Sequence, residues 1–86
     1  MKIVWHPDAW AEYLEWHTLD RKVWKKINEL IKAIQRDPGA GVGHPELLSN
    51  NLSGWASRHI TQEHRLVYRV VDDSTAFEIL SVKYHY

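Results

Sequence analysis

An apolar stripe at helical spacing constrains the fold of this chain more than any other feature of its 86 residues. The aliphatic side chains of the stripe are Val23, Ile27, Leu30, Ile31 and Ile34. Their period predicts an amphipathic helix, whose apolar face must be covered by a second layer of structure. The tripeptide Asp37-Pro38-Gly39 ends the helix, because proline disfavours helical backbone at the residue before it.

The residues before this helix predict one strand and a second helix. Lys2 to Trp5 contains two β-branched residues beside an aromatic one, which is typical of a short strand. Pro7 suits the first position of a helix, which we expect to extend from Pro7 to Trp16. Either Thr18 or Asp20 is expected to cap the helix that carries the stripe.

The second half of the chain changes to the period of strands. Residues 39–51 contain three glycines and a proline, and we expect a loop there. Three strands are predicted, at Trp55–Ile60, at Arg65–Val71 and from Ala76 to Tyr84 or beyond, and they form an antiparallel meander. The order β-α-α-β-β-β predicts a single α+β domain over residues 1–86, with both helices on one face of the sheet.

The absence of cysteine removes several classes of site at once. A disulfide framework, a thiolate nucleophile, an iron–sulfur cluster and a cysteine zinc site are all excluded. The core must therefore come from side-chain packing, to which ten aromatic residues, five of them tryptophan, can contribute large buried areas. The first residues carry no apolar signal segment and no stretch is long enough to span a membrane, so we expect a cytoplasmic protein without membrane partners.

Six histidines raise the question of a metal site. The imidazoles of His44, His59, His64 and His85 could meet around a zinc ion with Glu46, but no pair has the spacing of a helical zinc motif. No serine lies in a G-x-S-x-G turn, and neither glycine-rich nucleotide motif occurs. We therefore expect neither a metal nor a nucleotide cofactor.

General acid–base chemistry remains as a hypothesis. Glu46, Arg65 and His85 are a carboxylate, a cation and an imidazole, which suit proton transfer and stabilisation of charge on a phosphate. Spacing alone leaves open the alternative of a solvated carboxylate, a salt-bridging arginine and a terminal histidine without a role. The chain ends in Tyr84-His85-Tyr86, and such aromatic residues suggest that the last strand is held in place.

With these residues in view, the sequence resembles the YoeB-type toxins of the RelE superfamily, which belong to type II toxin–antitoxin pairs. The resemblance covers essentially the whole chain. It rests on the segments Lys2-Ile3-Val4-Trp5, residues 25–32, Gly43-His44-Pro45-Glu46, Asn51-Leu52-Ser53-Gly54, residues 63–68 and Tyr84-His85-Tyr86.

The resemblance implies a RelE-like, microbial ribonuclease-like fold, in which two N-terminal helices pack on a twisted antiparallel sheet. It also implies cleavage of mRNA in the A site of the 70S ribosome, without a metal or other cofactor. Carried over by motif, Glu46 is the general base, His85 the general acid, Arg65 the group that stabilises the phosphate and Tyr86 an orienting residue. The implied partners are an acidic YefM-like antitoxin, the ribosome with its mRNA, and a second copy of the chain. For such a homodimer we expect exposed aromatic surface from Trp5, Trp10, Trp16 and Trp24.

The sequence departs from the pattern of its relatives at cations near the predicted site. His44 and His59 stand where relatives commonly have Lys and Arg, and Ser49 stands where they have either a Lys or a small residue. We expect RNA affinity to be weaker near pH 7.5 and to rise as the two histidines protonate. The expected contacts with RNA or the ribosome are Lys22, Lys25, Lys26, His44, Arg58 and His59. The missing cations also favour an alternative, a module that keeps the fold and binds a ribosome or antitoxin without catalysis.

The formal net charge of zero conceals an uneven distribution. Residues 1–20 have a net charge of −3, residues 21–37 of +4 and residues 38–86 of −1. The positive charge follows the polar face of the stripe helix, formed by Lys22, Lys25, Lys26, Lys32 and Arg36. The total therefore does not exclude RNA, but it predicts weak affinity for free RNA, so that the ribosome must present the substrate.

Overall fold

The computed structural model describes residues 1–84 and contains two helices and five strands in that range. In chain order they are β1 (Lys2–Trp5), α1 (Pro7–Leu19), α2 (Arg21–Arg36), β2 (Glu46–Leu47), β3 (Ala56–His59), β4 (Arg65–Val71) and β5 (Ala76–Ser81). A short 3₁₀ turn at Asn50–Leu52 joins β2 to β3. Within the described residues, neither helix combines the length and apolar character that a bilayer span requires.

The strands form one mixed sheet in the order β1-β5-β4-β3-β2. Strands β3, β4 and β5 form the predicted antiparallel meander, and β2 adds an antiparallel strand beside β3. Strand β1 runs parallel to β5. The parallel pair arises because α1 and α2 carry the chain from β1 at one edge to β2 at the other. The meander then returns strand by strand and places β5 beside β1.

Several predicted boundaries differ from the structure. Helix α1 continues three residues beyond Trp16 and includes Thr18, so the capping residue of α2 is Asp20. Its carboxylate accepts hydrogen bonds from the backbone N–H groups of Lys22 at 3.0 Å and Val23 at 3.3 Å. Strand β5 ends at Ser81 rather than Tyr84, and β2 lies within the segment predicted to be a loop.

The stripe of α2 forms the centre of the core, as predicted. All five of its residues are buried, and Ile27, Leu30 and Ile34 have no exposed surface. They belong to one apolar cluster with residues from alternating positions on β4 and β5, namely Leu66, Tyr68, Phe77 and Ile79. Because side chains alternate across a strand, the intervening positions face away from the helices.

The tryptophans contribute more to the core than to the surface. The expectation of four exposed tryptophans is wrong for Trp16, which is buried, and for Trp5 and Trp24, which are partly buried against the core. Trp10 remains 45% exposed on the outer side of α1, close to the exposed Leu14. Together these two residues present an apolar patch that is much smaller than the sequence suggests.

Candidate active site

The predicted site residues Glu46 and Arg65 lie on the face of the sheet opposite the helices. Glu46 is the register partner of Ser57, and His59 is the register partner of Arg65. Partners in adjacent strands share a face, as do residues two apart in one strand, so Glu46, His59 and Arg65 share this face. Standard strand spacing places the Cα atoms of Glu46 and Arg65 about 12 Å apart. A substrate could therefore lie between the two side chains.

Glu46 is accessible and has a histidine beside it. Its side chain is 60% exposed, and Oε1 lies 3.5 Å from Nε2 of His59. The ring of His44 lies edge-on to that of His59, with centroids 5.6 Å apart. His59 therefore adjoins the predicted base, and His44 packs against His59.

The position of the chain segment that leads to Glu46 depends on a close backbone contact at Gly43. The backbone of Gly43 has a φ of +90°, and its carbonyl accepts a hydrogen bond from the N–H of His59 at 2.6 Å. A Cβ at this position would lie 2.8 Å from Cδ2 of Leu30, so the loop passes directly over α2. This contact holds His44 and Glu46 beside β3.

Arg65 is held by backbone carbonyls. Its Nη1 donates to the carbonyl oxygens of Thr61 at 2.8 Å, Gln62 at 3.0 Å and His64 at 3.2 Å. Within residues 1–84, no carboxylate lies within ion-pair distance of its guanidinium, so the alternative of a salt-bridging arginine is wrong for this range. The carbonyls orient the group without neutralising its charge, which leaves it suited to an anion.

The other two predicted catalytic residues, His85 and Tyr86, lie outside the described residues. The chain leading to them is tied to the site, because the backbone N–H of Arg65 donates to the carbonyl of Tyr84 at 2.9 Å. Tyr84 itself is exposed and has a φ of +60°.

The prediction that Arg58 contacts RNA is wrong for this structure. Its side chain is on the helix face of β3 and is completely buried. The guanidinium donates to the carbonyls of Asp37 at 2.8 Å, Ala40 at 2.7 Å and Val42 at 3.1 Å, and to the hydroxyl of Tyr68 at 3.2 Å. It therefore holds the loop that follows α2. Strand alternation explains why its neighbour His59 reaches the open face and Arg58 does not.

The predicted cations of α2 lie on the surface. Lys22 and Lys25 are exposed, and Lys26 is half-exposed with Nζ 3.9 Å from a carboxylate oxygen of Glu29. These lysines are on the polar side of α2, whereas Glu46 and Arg65 are on the far face of the sheet. Any contact that the lysines make is therefore separate from the candidate active site.

The histidines do not gather into a metal site within residues 1–84. His44 and His59 adjoin Glu46, but His64 packs against Trp16 and Tyr84. No group of three or more potential ligands in the described range is arranged to hold a metal ion.

The sequence interpretation missed the carbonyls that orient Arg65. They belong to the turn at residues 61–64, which it treated only as a connection between strands. Every residue has a backbone carbonyl, so the residue types in the sequence do not show which carbonyls accept hydrogen bonds from Arg65. Only the position of this turn directly before Arg65 hints at their role.

Comparisons with known proteins bear on this arrangement. Residues 5–86 match the model of a family described as the YoeB-like toxin of bacterial type II toxin–antitoxin systems. The chain is 52% identical to Toxin YoeB of Escherichia coli (strain K12), over the full length of both proteins.

Solved structures show the same fold. A YoeB/ParE toxin from Agrobacterium tumefaciens has a TM-score of 0.96 and 42% identity, with both chains fully covered. The YoeB dimer from Staphylococcus aureus has a TM-score of 0.90 and 46% identity, and the YoeB–YefM complex from that organism has 0.90 and 45%. Each of these two matches covers 100% of this chain and 98% of the other. The chain belongs to the family of YoeB-like toxins of bacterial type II toxin–antitoxin systems.

Proposed function

We propose that this toxin is a ribosome-dependent endoribonuclease that cleaves mRNA in the ribosomal A site and thereby inhibits translation. The observation that carries the proposal is the shared open face of Glu46 and Arg65, together with the bond from Arg65 to Tyr84. Through that bond the backbone of Tyr84, the residue before His85, lies beside that of Arg65, which supports the proposal. Membership of the family supports the proposal.

In the proposed reaction the ribose 2′-hydroxyl of the RNA is the nucleophile. Glu46 takes the proton from this hydroxyl while the 2′-oxygen attacks the adjacent phosphorus. Arg65 stabilises the negative charge that develops on the phosphate, and the bond from phosphorus to the 5′-oxygen breaks. His85 protonates the departing 5′-oxygen, and Tyr86 orients the substrate. The products are a 2′,3′-cyclic phosphate, which can open to a 3′-phosphate, and a 5′-hydroxyl end.

The test measures cleavage of mRNA on programmed ribosomes, with new 5′ ends mapped by primer extension. Replacement of a general acid or base is expected to slow cleavage by about 10²–10⁴-fold. We therefore expect Glu46→Gln and His85→Ala each to relieve growth arrest when expressed. Glu15→Gln is a matched control, because Glu15 is an exposed carboxylate of α1 outside the proposed mechanism. Full toxicity of both site variants would show that the catalytic assignment is wrong.

A non-catalytic ribosome- or antitoxin-binding module is the second candidate. The observation that favours it is the pair His44 and His59 beside Glu46, where relatives commonly have cations. The two candidates differ in their products. A pure binder stalls ribosomes without creating a new 5′-hydroxyl end within the codon, whereas the nuclease creates one.

We also propose an acidic YefM-like antitoxin as the cognate partner, because a Staphylococcus aureus relative is solved in complex with YefM. The surface lysines of α2 (Lys22, Lys25 and Lys26) are the proposed contacts with ribosomal RNA or with this antitoxin. Replacing all three with glutamine should weaken ribosome binding and reduce its dependence on salt, as measured by co-sedimentation. A homodimer is proposed by analogy with the Staphylococcus aureus dimer, and sedimentation of the purified toxin tests it.

A further inference from the structure

The last described residues are attached to the rest of the protein although they lie beyond the final strand. The N–H of Val82 donates to Oε1 of Glu12 at 2.9 Å, and its carbonyl accepts from Nε1 of Trp16 at 3.0 Å. The N–H of Tyr84 donates to Nδ1 of His64 at 2.8 Å. Three peptide groups are thus held by three side chains from α1 and from the turn before β4. We call Glu12, Trp16 and His64 the C-terminal clamp.

His64 is the member of the clamp closest to the predicted site. Its side chain is 11% exposed and packs edge-on against Trp16, with ring centroids 4.8 Å apart. Because Nδ1 accepts the bond from Tyr84, the proton of the neutral ring is on Nε2, which lies 3.4 Å from Oε2 of Glu63. The ring is therefore fixed in orientation and in tautomer.

The backbone of His64 also reaches the site. Its carbonyl is one of the three that accept hydrogen bonds from Nη1 of Arg65. The N–H of His64 in turn donates to Oγ1 of Thr61 at 3.0 Å, which holds the turn closed. One residue thus contacts both the guanidinium of Arg65 and the backbone at Tyr84.

We propose that His64 is a positioning residue, which fixes the point from which His85 and Tyr86 continue relative to Arg65. This inference depends on the proposed function, because it assigns His64 a role in that reaction. His64 touches no reacting atom in the proposed mechanism, so it acts through the segment that it holds. Misplacement of a catalytic group by about 1 Å can slow a reaction by about 10²-fold.

Two amide substitutions separate this role from simple packing. In His64→Asn, Oδ1 takes the place of Nδ1 and can accept the N–H of Tyr84. In His64→Gln, the amide extends toward the place of Nε2 and leaves that N–H without its acceptor. Both variants lose the aromatic ring, so the loss of packing is shared. We expect His64→Gln to lower kcat by about 10–100-fold with little change in KM, and His64→Asn to recover most of the loss.

A second measurement does not require catalysis. Hydrogen exchange of the Tyr84 amide, followed by NMR in the full chain, should be faster in His64→Gln than in the parent and His64→Asn. Trp16→Phe provides a further variant, because it keeps an aromatic ring and removes the bond to Val82 together with part of the buried indole. We expect it to speed exchange in residues 82–84, provided that circular dichroism shows a folded protein.

The outcomes distinguish this inference from the proposed function. Equal kcat in the two His64 variants, or unchanged exchange at Tyr84 in His64→Gln, would overturn the positioning role. If the parent itself cleaves no mRNA, the proposed nuclease function fails, and the exchange data alone then decide whether His64 holds the segment.

Discussion

Replacement of Arg58 by methionine tests the role of a buried cation in this small domain. The guanidinium holds three carbonyls of the loop after α2 and the hydroxyl of Tyr68, and it has no exposed surface. Methionine has a similar length and keeps much of the apolar contact, but it has no donors. The variant therefore isolates the contribution of the hydrogen bonds.

The magnitude follows from the number and kind of these bonds. Each hydrogen bond to a charged group contributes about 1.5–3 kcal/mol, so three charge-assisted bonds to carbonyls set an upper range of about 5–9 kcal/mol. Two effects reduce this value. Methionine avoids the cost of burying a charge, and the loop residues Asp37, Ala40 and Val42 are exposed enough for water to reach their carbonyls. We expect a net loss of about 3 kcal/mol in the free energy of unfolding.

Urea denaturation at 25 °C measures the loss directly, and thermal unfolding should show a Tm lower by about 12–24 °C. Arg36→Met is the matched control, because Arg36 is an exposed residue at the end of α2 and its replacement should change stability by less than about 0.5 kcal/mol. Arg58→Lys should not restore stability, since an ammonium group cannot span acceptors that approach a planar fork from several directions. A loss below about 1 kcal/mol in Arg58→Met would refute the reasoning.

Three further predictions concern stability. Gly43→Ala should lower the free energy of unfolding by more than about 2 kcal/mol, because a Cβ there combines a positive φ with a collision against Leu30 of α2. Gly39→Ala is the control, since its Cβ would meet only an ordinary contact at 3.8 Å, and urea denaturation compares the two variants. Asp20→Ala should lower the free energy of unfolding by about 1 kcal/mol, because α2 loses its N-cap. Thr18→Ala, inside α1, should lower it by less, and equal losses would contradict the assignment of the cap to Asp20. Burial raises the pKa of Glu12 above 4.5, so the stability associated with its protonation is present at low pH and is lost as pH rises through the raised pKa. Glu12→Gln keeps an acceptor and removes the charge, so its Tm should exceed that of the parent at pH 7, with a difference that shrinks toward pH 4.

The basic face of α2 and the candidate active site lie on opposite sides of the sheet. The open face carries Glu46 and Arg65, while the exposed lysines of α2 project from the helix layer. Substitutions of the lysines should therefore change binding to a large partner more than they change the chemical step. This separation agrees with the uneven charge distribution of the chain, in which the positive charge is concentrated between residues 21 and 37.

The sequence by itself determined the elements whose signals are local and periodic. The apolar stripe of α2 predicted a buried face, and Ile27, Leu30 and Ile34 are fully buried. Strand β4 was predicted with its observed bounds, because alternating large residues between two polar turns leave little freedom of interpretation. The candidate site residues Glu46 and Arg65 were predicted from motifs, and their place on a common face followed once the strands were paired.

Only the tertiary structure decided features that depend on contacts between distant segments. Strand β2 has two residues, too few for any period, and it exists because it pairs with β3. Arg58 and His59 are adjacent residues that can both carry a positive charge. Arg58 is buried and donates to loop carbonyls, whereas His59 lies on the open face of the sheet. The hydrogen bond from the N–H of Tyr84 to Nδ1 of His64 joins residues 20 positions apart, and no local sequence pattern predicts it. Periodicity in the sequence shows which side of a helix or strand is apolar. The hydrogen-bond partner of each polar group depends on how the helices and strands pack together, which the local sequence does not specify.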